Sequence, residues 1–188
     1  FLDCKNLKNL NLSNFNTSLI TNMNSMFRRC SELVKLDISS FDTSNVTDMS
    51  YLFCSCTKIT NLNLYNFNTS KVQNMNHMFY NCNKLKSLNI YSFDTSKLQD
   101  AGYIFGYLNT FKEFNLSHFK TNNLKTMKAM FYRCSKLLSL NLSNFDTSLV
   151  TEMNDMFSGC VEMISIDLSS FNTPSLTNMK NMFYECNS

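Results

Sequence analysis

FDTSNVTDMSYLFCSC (residues 41–56) returns as FNTSKVQNMNHMFYNC (67–82) and again as FDTSLVTEMNDMFSGC (145–160). Cys falls at positions 4, 30, 56, 82, 134, 160 and 186, and Leu108 is the one missing rung. Phe falls at 1, 27, 53, 79, 105, 131, 157 and 183 without exception. A second Phe column runs from Phe15 to Phe171 and a Thr column from Thr17 to Thr173. The period is 26 throughout, with seven full units beginning at Leu7, Leu33, Ile59, Leu85, Phe111, Leu137 and Met163. Self-similarity at a fixed spacing without insertions describes coils stacked on one another. A lone coil buries too little apolar surface to offset the ordering of its backbone, so it covers its faces with its neighbours.

Each unit reads L-x-x-L-[ND]-L-[SY]-x-F-[ND]-T-S-x-V-x-x-M-x-x-M-F-x-x-C. The opening, LKNLNL from Leu7, ends in period-two alternation, which predicts a short strand. Stacked coils pair such strands in parallel at about 4.8 Å per coil. The F-[ND]-T-S phrase supplies side chains that bond back to local backbone in turns and caps. Val46, Met49, Leu52 and Phe53 then recur at spacings of three and four, which predicts an inward-facing helical or 3-10 arc. Strand, turn, arc and return make a leucine-rich-repeat coil, with a parallel sheet on one face and short helical, 3-10 or irregular arcs on the other.

The pattern MF-x-x-C-x-x-L-x-x-L-[ND]-[LI]-S-x-F-[ND]-T-S-x-V-T-x-M resembles the BspA-like leucine-rich repeats, nearest the variant of bacterial surface lipoproteins, a domain of unknown function. The resemblance covers essentially all of residues 1–188, which are expected to form one solenoid of seven units and a partial one. It implies a right-handed solenoid at the cell surface or secreted, tied to adhesion, with a protein or glycan as partner. The family brings no catalytic residues.

The bulk composition fits. Of 188 residues 44% are apolar, enough for a continuous core, and the net charge of +3 reads as too small and too scattered to point to nucleic acid. No run approaches the 18 apolar residues of a membrane-spanning segment. The chain starts at Phe1 and both ends fall within repeat units, so further repeats or capping domains are expected at both ends. Cytoplasmic location remains the alternative to export.

Chemistry needs residues that break a repeat at one place, and most polar positions obey it. Seven cysteines in one column lack the clustered spacing of a zinc site and read as a ladder of buried thiols acting as small hydrophobes. Neighbouring rungs lie within disulfide reach, so that alternative stays open. His77 and His118 occupy different columns and read as solvated surface residues. Asp and Glu alternate with Asn, Thr or Lys in the columns from Asn16 and Asn22, so that no two acids stack. At coil spacing two such charges repel by roughly 1 kcal/mol in water. Calcium binding by these single acids is a weaker reading. An enzyme, a metal centre and a cofactor are not expected.

One unit departs. Ala101 replaces Met, Leu108 replaces Cys, Phe111 and Phe114 replace Leu, and Lys120 replaces Asp or Asn. Compensating size changes imply local repacking, while Gly102 and Gly106 leave a bend or specialised surface as the rival. The outward strand positions form the triples Asn9/Asn11/Ser13, Lys35/Asp37/Ser39, Asn61/Asn63/Tyr65, Ser87/Asn89/Tyr91, Glu113/Asn115/Ser117, Ser139/Asn141/Ser143 and Ser165/Asp167/Ser169. Their central amides are expected to bond to one another. Tyr65 and Tyr91 replace Ser on adjacent coils and should lie side by side, and tyrosine is enriched at interfaces. They form the candidate site with Asn63, Asn89, Lys35 and Glu113. Tyr80, Tyr132 and Tyr184 are expected to shield the far face. The function so read is a non-enzymatic surface binding or adhesion module, with a structural scaffold segment as the alternative.

Overall fold

The computed structural model describes residues 1–187; Ser188, the end of the expected solenoid, lies outside them. The chain winds as a repeat solenoid. Among the described residues the three-residue strands are β1 (Asn9–Asn11), β2 (Lys35–Asp37), β3 (Asn61–Asn63), β4 (Ser87–Asn89), β5 (Ser139–Asn141) and β6 (Ser165–Asp167). All pairing is parallel and in 26-residue register, as in Leu62 opposite Leu88. At the opposite end of the outgoing flank a second ladder runs unbroken through Asn22, Asp48, Asn74, Asp100, Thr126, Glu152 and Asn178.

The interior is a set of columns. Phe27, Phe53, Phe79, Phe105, Phe131 and Phe157 are fully buried. Consecutive rings of this column stack at centroid separations of 5.4–6.2 Å, which measures the coil spacing. Cys30, Cys56, Cys82, Cys134 and Cys160 are fully buried beside it. Each thiol donates to a Phe carbonyl of the preceding coil: Cys56 to Phe27 at 3.0 Å, Cys82 to Phe53 at 3.0 Å and Cys134 to Phe105 at 3.1 Å. The rung thus combines small apolar volume with a weak donor. Loss of solvent raises the thiol pKa values, that of Cys160 to about 12, so the thiols stay protonated and able to donate.

A third column explains the invariant Thr. Thr17, Thr43, Thr69, Thr95, Thr121 and Thr147 are buried. Thr121 donates its hydroxyl to Asp146 O at 3.0 Å and accepts from Asp146 N at 2.7 Å. A buried side chain thereby satisfies both backbone groups of one residue on the next coil, where each would be costly to leave unpaired.

Of the helical, 3-10 or irregular arcs expected, the irregular kind occurs. Val46, Met49, Leu52 and Phe53 do point inward and are fully buried, but no helix occurs among the described residues. The arc is a succession of tight turns. Met26 N bonds Met23 O, Arg28 N bonds Ser25 O and Cys30 N bonds Phe27 O, while the intervening amides reach the next coil: Ser25 to Ser50 O, Phe27 to Leu52 O and Arg29 to Cys54 O. Two residues per arc are left-handed, among them Ser25, Arg29, Tyr51, Ser55, His77 and Asn81, with φ between 56° and 61°. Side-chain-bearing residues are disfavoured there by roughly 1–2 kcal/mol. The conformation turns their N–H along the solenoid axis, and the hydrogen bond gained is of similar worth.

The sheet is not continuous. Among the described residues strands pair as β1–β2, β3–β4 and β5–β6. The residue before the outer Phe differs between the two kinds of junction. At the paired junctions it is Ser, whose hydroxyl makes short links such as Ser40 to Leu12 O at 3.1 Å and Ser92 to Leu64 O at 3.2 Å. At the unpaired junctions it is longer. Asn66 Nδ2 spans Ile38 O, Ser39 O and Phe41 O at 3.2, 3.4 and 3.2 Å. Asn144 does the same on Leu116, Ser117 and Phe119, and His118 Nε2 lies 3.0 Å from Ile90 O.

The divergent unit is both repacked and distinct in surface. Phe114 packs 5.0 Å from Phe105 and 5.7 Å from Phe131. The larger ring at the inward strand position holds the backbone off its neighbours, and residues 113–115 form no strand. Gly106 makes room for a ring, since an added Cβ would lie 2.9 Å from Tyr80 Cδ2.

Candidate functional site

The strands present their outer positions to solvent while the central Leu or Ile faces the core. Tyr65 and Tyr91 are 69% and 63% exposed at the ends of β3 and β4. The paired strands bring their coils together, but no Tyr65–Tyr91 ring contact occurs among the described residues. Tyr91 instead lies 5.8 Å from the His118 ring.

The central amides act differently from expectation. Each caps its own strand: Asn63 Oδ1 accepts from Tyr65 N at 3.3 Å, and Asn89 Oδ1 from Tyr91 N at 3.4 Å. The same turn recurs at Asn11, Asp37, Asn115, Asn141 and Asp167. A side-chain acceptor two residues ahead of an N–H mimics a backbone turn, and this ends every strand at three residues. One amide–amide link does form, from Asn89 Nδ2 to Asn63 Oδ1 at 2.9 Å, and it fixes the floor between the two tyrosines.

Two grooves border the pair. One of about 420 Å³ lies between β2 and β3 and is lined by Asp37, Asn61, Asn63, Tyr65 and Asn66. Another of about 220 Å³ is lined by Tyr91, Phe111, Glu113 and Phe114. Lys35 borders a third, of about 570 Å³, with Asn9, Asn11 and Asp37. The six residues therefore share one face without converging on a single cavity. The surface is polar and amide-rich with two aromatic platforms, a set suited to holding a ligand and lacking a nucleophile–base pair.

The histidines are not solvated surface groups. His77 is stacked between Tyr51 at 4.6 Å and Tyr103 at 4.4 Å on the arc face, with Arg28 over the far side of Tyr51 at 4.6 Å. Tyr80 meets Tyr107 edge-on at 5.3 Å, and Tyr107 meets Tyr132 at 5.5 Å. Burial lowers the His77 pKa to about 4, against the opposing pull of Asp100. Burial also lowers that of His118, whose buried Nδ1 has no hydrogen-bond partner among the described residues. Reading columns separately missed this cluster; the signal was that positions 51, 77 and 103 are aromatic where other units carry Ser, Ala, Asp or Asn. Tyr80 and Tyr132 are half-buried and cover the arc as expected, whereas Tyr184 is 57% exposed.

The acids are single caps. The Ser39 hydroxyl and amide hold the Asp37 carboxyl below its usual range, and Asp42, Asp94, Asp146 and Asp167 are lowered by the equivalent bonds. Among the described residues no three His, Cys, Asp or Glu side chains group as a metal-ligand set. Charge, by contrast, is segregated rather than scattered. Residues 58–136 hold eleven Lys and Arg against three acids, a net of +8. Residues 1–57 balance five against five, and residues 137–188 hold one base against six acids.

A leucine-rich repeat protein from Bacteroides ovatus has a similar crystal structure, with a TM-score of 0.53 at 15% identity over 99% of this chain. The chain spans 55% of that protein's length, and the likeness establishes the fold alone. A leucine-rich cell surface protein from Faecalibacterium prausnitzii aligns over 96% of this chain and 74% of its own at 16% identity, with a TM-score of 0.25 that carries no structural argument. No curated protein matches. The family described as "Mycoplasma protein of unknown function, DUF285" matches residues 1–114 and 103–188, and the chain belongs to that family.

Proposed function

We propose that the chain is a non-enzymatic binding module of the BspA-like kind, displayed at the cell surface, that engages a protein or glycan through its sheet face. The observation that carries this reading is the pair Tyr65 and Tyr91. They are large, solvent-exposed aromatics just beyond the ends of adjoining strands where five other units carry Ser, and grooves lie beside them. Tyrosine offers contact area and a hydroxyl at low cost in conformational entropy. Asn63 and Asn89 hold the two strand ends in register, and Lys35 and Glu113 supply opposite charges at the rim. No helix among the described residues is long and apolar enough to cross a membrane.

The test is binding of the purified chain to arrays of glycans and extracellular proteins, repeated with Tyr65→Ser/Tyr91→Ser. These substitutions restore the residue of the other units, so the fold is kept. The expected result is a ligand whose signal falls at least about tenfold in the double variant, an interface hot-spot effect. Signals unchanged by the double substitution would contradict a sheet-face site.

A further inference from the structure

Half of the ten lysines in residues 58–136 lie on the flank that leads into the strands. Lys58 precedes β3, Lys84 and Lys86 precede β4, Lys112 precedes residues 113–115, and Lys136 precedes β5. Lys84, Lys86, Lys112 and Lys136 are exposed and Lys58 half-buried. Coil spacing brings these groups into line. Lys86 N bonds Thr60 O of the preceding coil at 2.8 Å, and Lys136 reaches Glu162, one repeat further on in its own column. Apart from that pair, no ion pair or side-chain hydrogen bond holds these lysines among the described residues.

This arrangement runs against the habit of the acidic columns. The acidic columns never place two acids on successive coils, yet here lysines follow one another at Lys58–Lys84 and Lys86–Lys112. Like charges at the 5.4–6.2 Å coil spacing are well inside a Debye length of about 10 Å, so they repel, and an external anion would relieve the repulsion. The opposite flank carries as many lysines and also stacks two, Lys71 and Lys97, but there Lys120 sits in an acidic column and pairs with Asp94 at 4.0 Å. Between the lysines of the stripe lie Thr57, Thr60, Asn83, Asn109, Thr110 and Ser135, hydroxyl and amide groups with no exposed ring among them.

We propose that this flank is a second binding surface, distinct from the sheet face, that takes a linear anionic polysaccharide lying along the solenoid axis. The repeat sets one or two cations per coil, which suits a polymer carrying a carboxylate or sulfate on successive sugars. Hydroxyls and amides between the cations suit sugar hydroxyls. A single-stranded nucleic acid would call for aromatic stacking platforms, and bidentate phosphate readers favour Arg over Lys; this stripe has neither.

The experiment is binding of the full chain to immobilised polygalacturonate at low salt, with dextran as the neutral control and oligo-dT as a competing polyanion. Lys84→Glu/Lys86→Glu/Lys112→Glu is compared with Lys71→Glu/Lys97→Glu/Lys125→Glu, an equal charge change on the opposite flank, each checked by circular dichroism. Lys84→Gln/Lys112→Gln is the milder variant should the triple fail to fold. The expected result is salt-sensitive binding of polygalacturonate but not dextran. The flank triple weakens it by about tenfold or more, the control triple by less than about threefold, and Tyr65→Ser/Tyr91→Ser leaves it unchanged. Absence of binding, equal loss in both triples, or tighter binding of oligo-dT overturns the proposal. The sheet-face reading stands or falls separately on the tyrosine pair.

Discussion

At the scale of single residues, the least conspicuous letters of the repeat hold the coils together. Thr121 is a polar residue in a buried column, and its hydroxyl serves both the amide and the carbonyl of Asp146. Thr121→Val keeps the shape and strands two buried backbone groups, so urea unfolding should show a loss of about 2–4 kcal/mol; a loss under about 0.5 kcal/mol would mean water replaces the hydroxyl. His77 yields a pH signature. Its folded pKa of about 4 lies below the ordinary 6.5, so between those values the unfolded chain holds more protons. Stability is complete above pH 6.5, declines as pH falls towards about 4, and takes no further loss from His77 below that. His77→Phe keeps a ring between Tyr51 and Tyr103 and should flatten the fall of Tm over that window, leaving the part due to His118. An unchanged slope would place the titration elsewhere. The capped aspartates act lower: their pKa values are depressed in the fold, so their contribution is present above the ordinary carboxylate value and lost as pH falls through the lowered one. None of these roles could be read from one sequence. The Thr column was visible, but a hydroxyl's partner one coil away is fixed by register, and the His77 stack appears only when columns 26 residues apart are superposed.

At the scale of elements, periodicity located the strands and left the arcs open among helical, 3-10 and irregular forms. Strand positions were legible because the alternation in LKNLNL and its copies has a single solution once coils stack. The arcs were not, because a period of three to four marks only which residues face inward. Val46, Met49, Leu52 and Phe53 satisfy that with tight turns as well as with a helix. The left-handed residues carried no Gly signal except Gly159, with φ +76°; an axial hydrogen bond offsets the strain at Ser25 or Tyr51 in place of glycine's freedom. The two-by-two pairing of the sheet was also in the sequence, written as Ser40, Ser92 and Ser170 against Asn66, His118 and Asn144, but its meaning needs the reach of each side chain. At two of the three Ser junctions, those of Ser40 and Ser92, Leu12 N donates to Asp37 O at 2.9 Å and Leu64 N to Asn89 O at 3.0 Å. The equivalent Ile38 amide, facing the Asn66 junction, makes no such bond among the described residues. Asn66→Ser should therefore slow hydrogen exchange at Ile38 by about tenfold, as expected for a newly protected strand amide. Exchange at Ile38 already as slow as at Leu64 in the unsubstituted chain would remove Asn66 as the cause.

At the scale of the whole molecule, repetition explains both what was clear and what was hidden. A strict period makes the fold legible, because every coil makes the same contacts with the next and the array cannot be stable otherwise. The same strictness hides function, which lives in departures: Tyr65 and Tyr91 on the sheet, the aromatic cluster of the arc, and the lysine stripe that a net charge of +3 conceals. The tyrosines were found as exceptions within one column; the stripe was missed because charge was summed over the chain and not along a flank. The claim on which the rest depends is that coil meets coil through an interior column of protonated thiols bonded to Phe carbonyls. It is tested most directly by counting reactive thiols without reductant, before and after unfolding. The account predicts that Cys30, Cys56, Cys82, Cys134 and Cys160 resist modification in the folded chain and that all eight cysteines react once it unfolds. Fewer than eight after unfolding, or rapid modification of those five in the folded state, would contradict it.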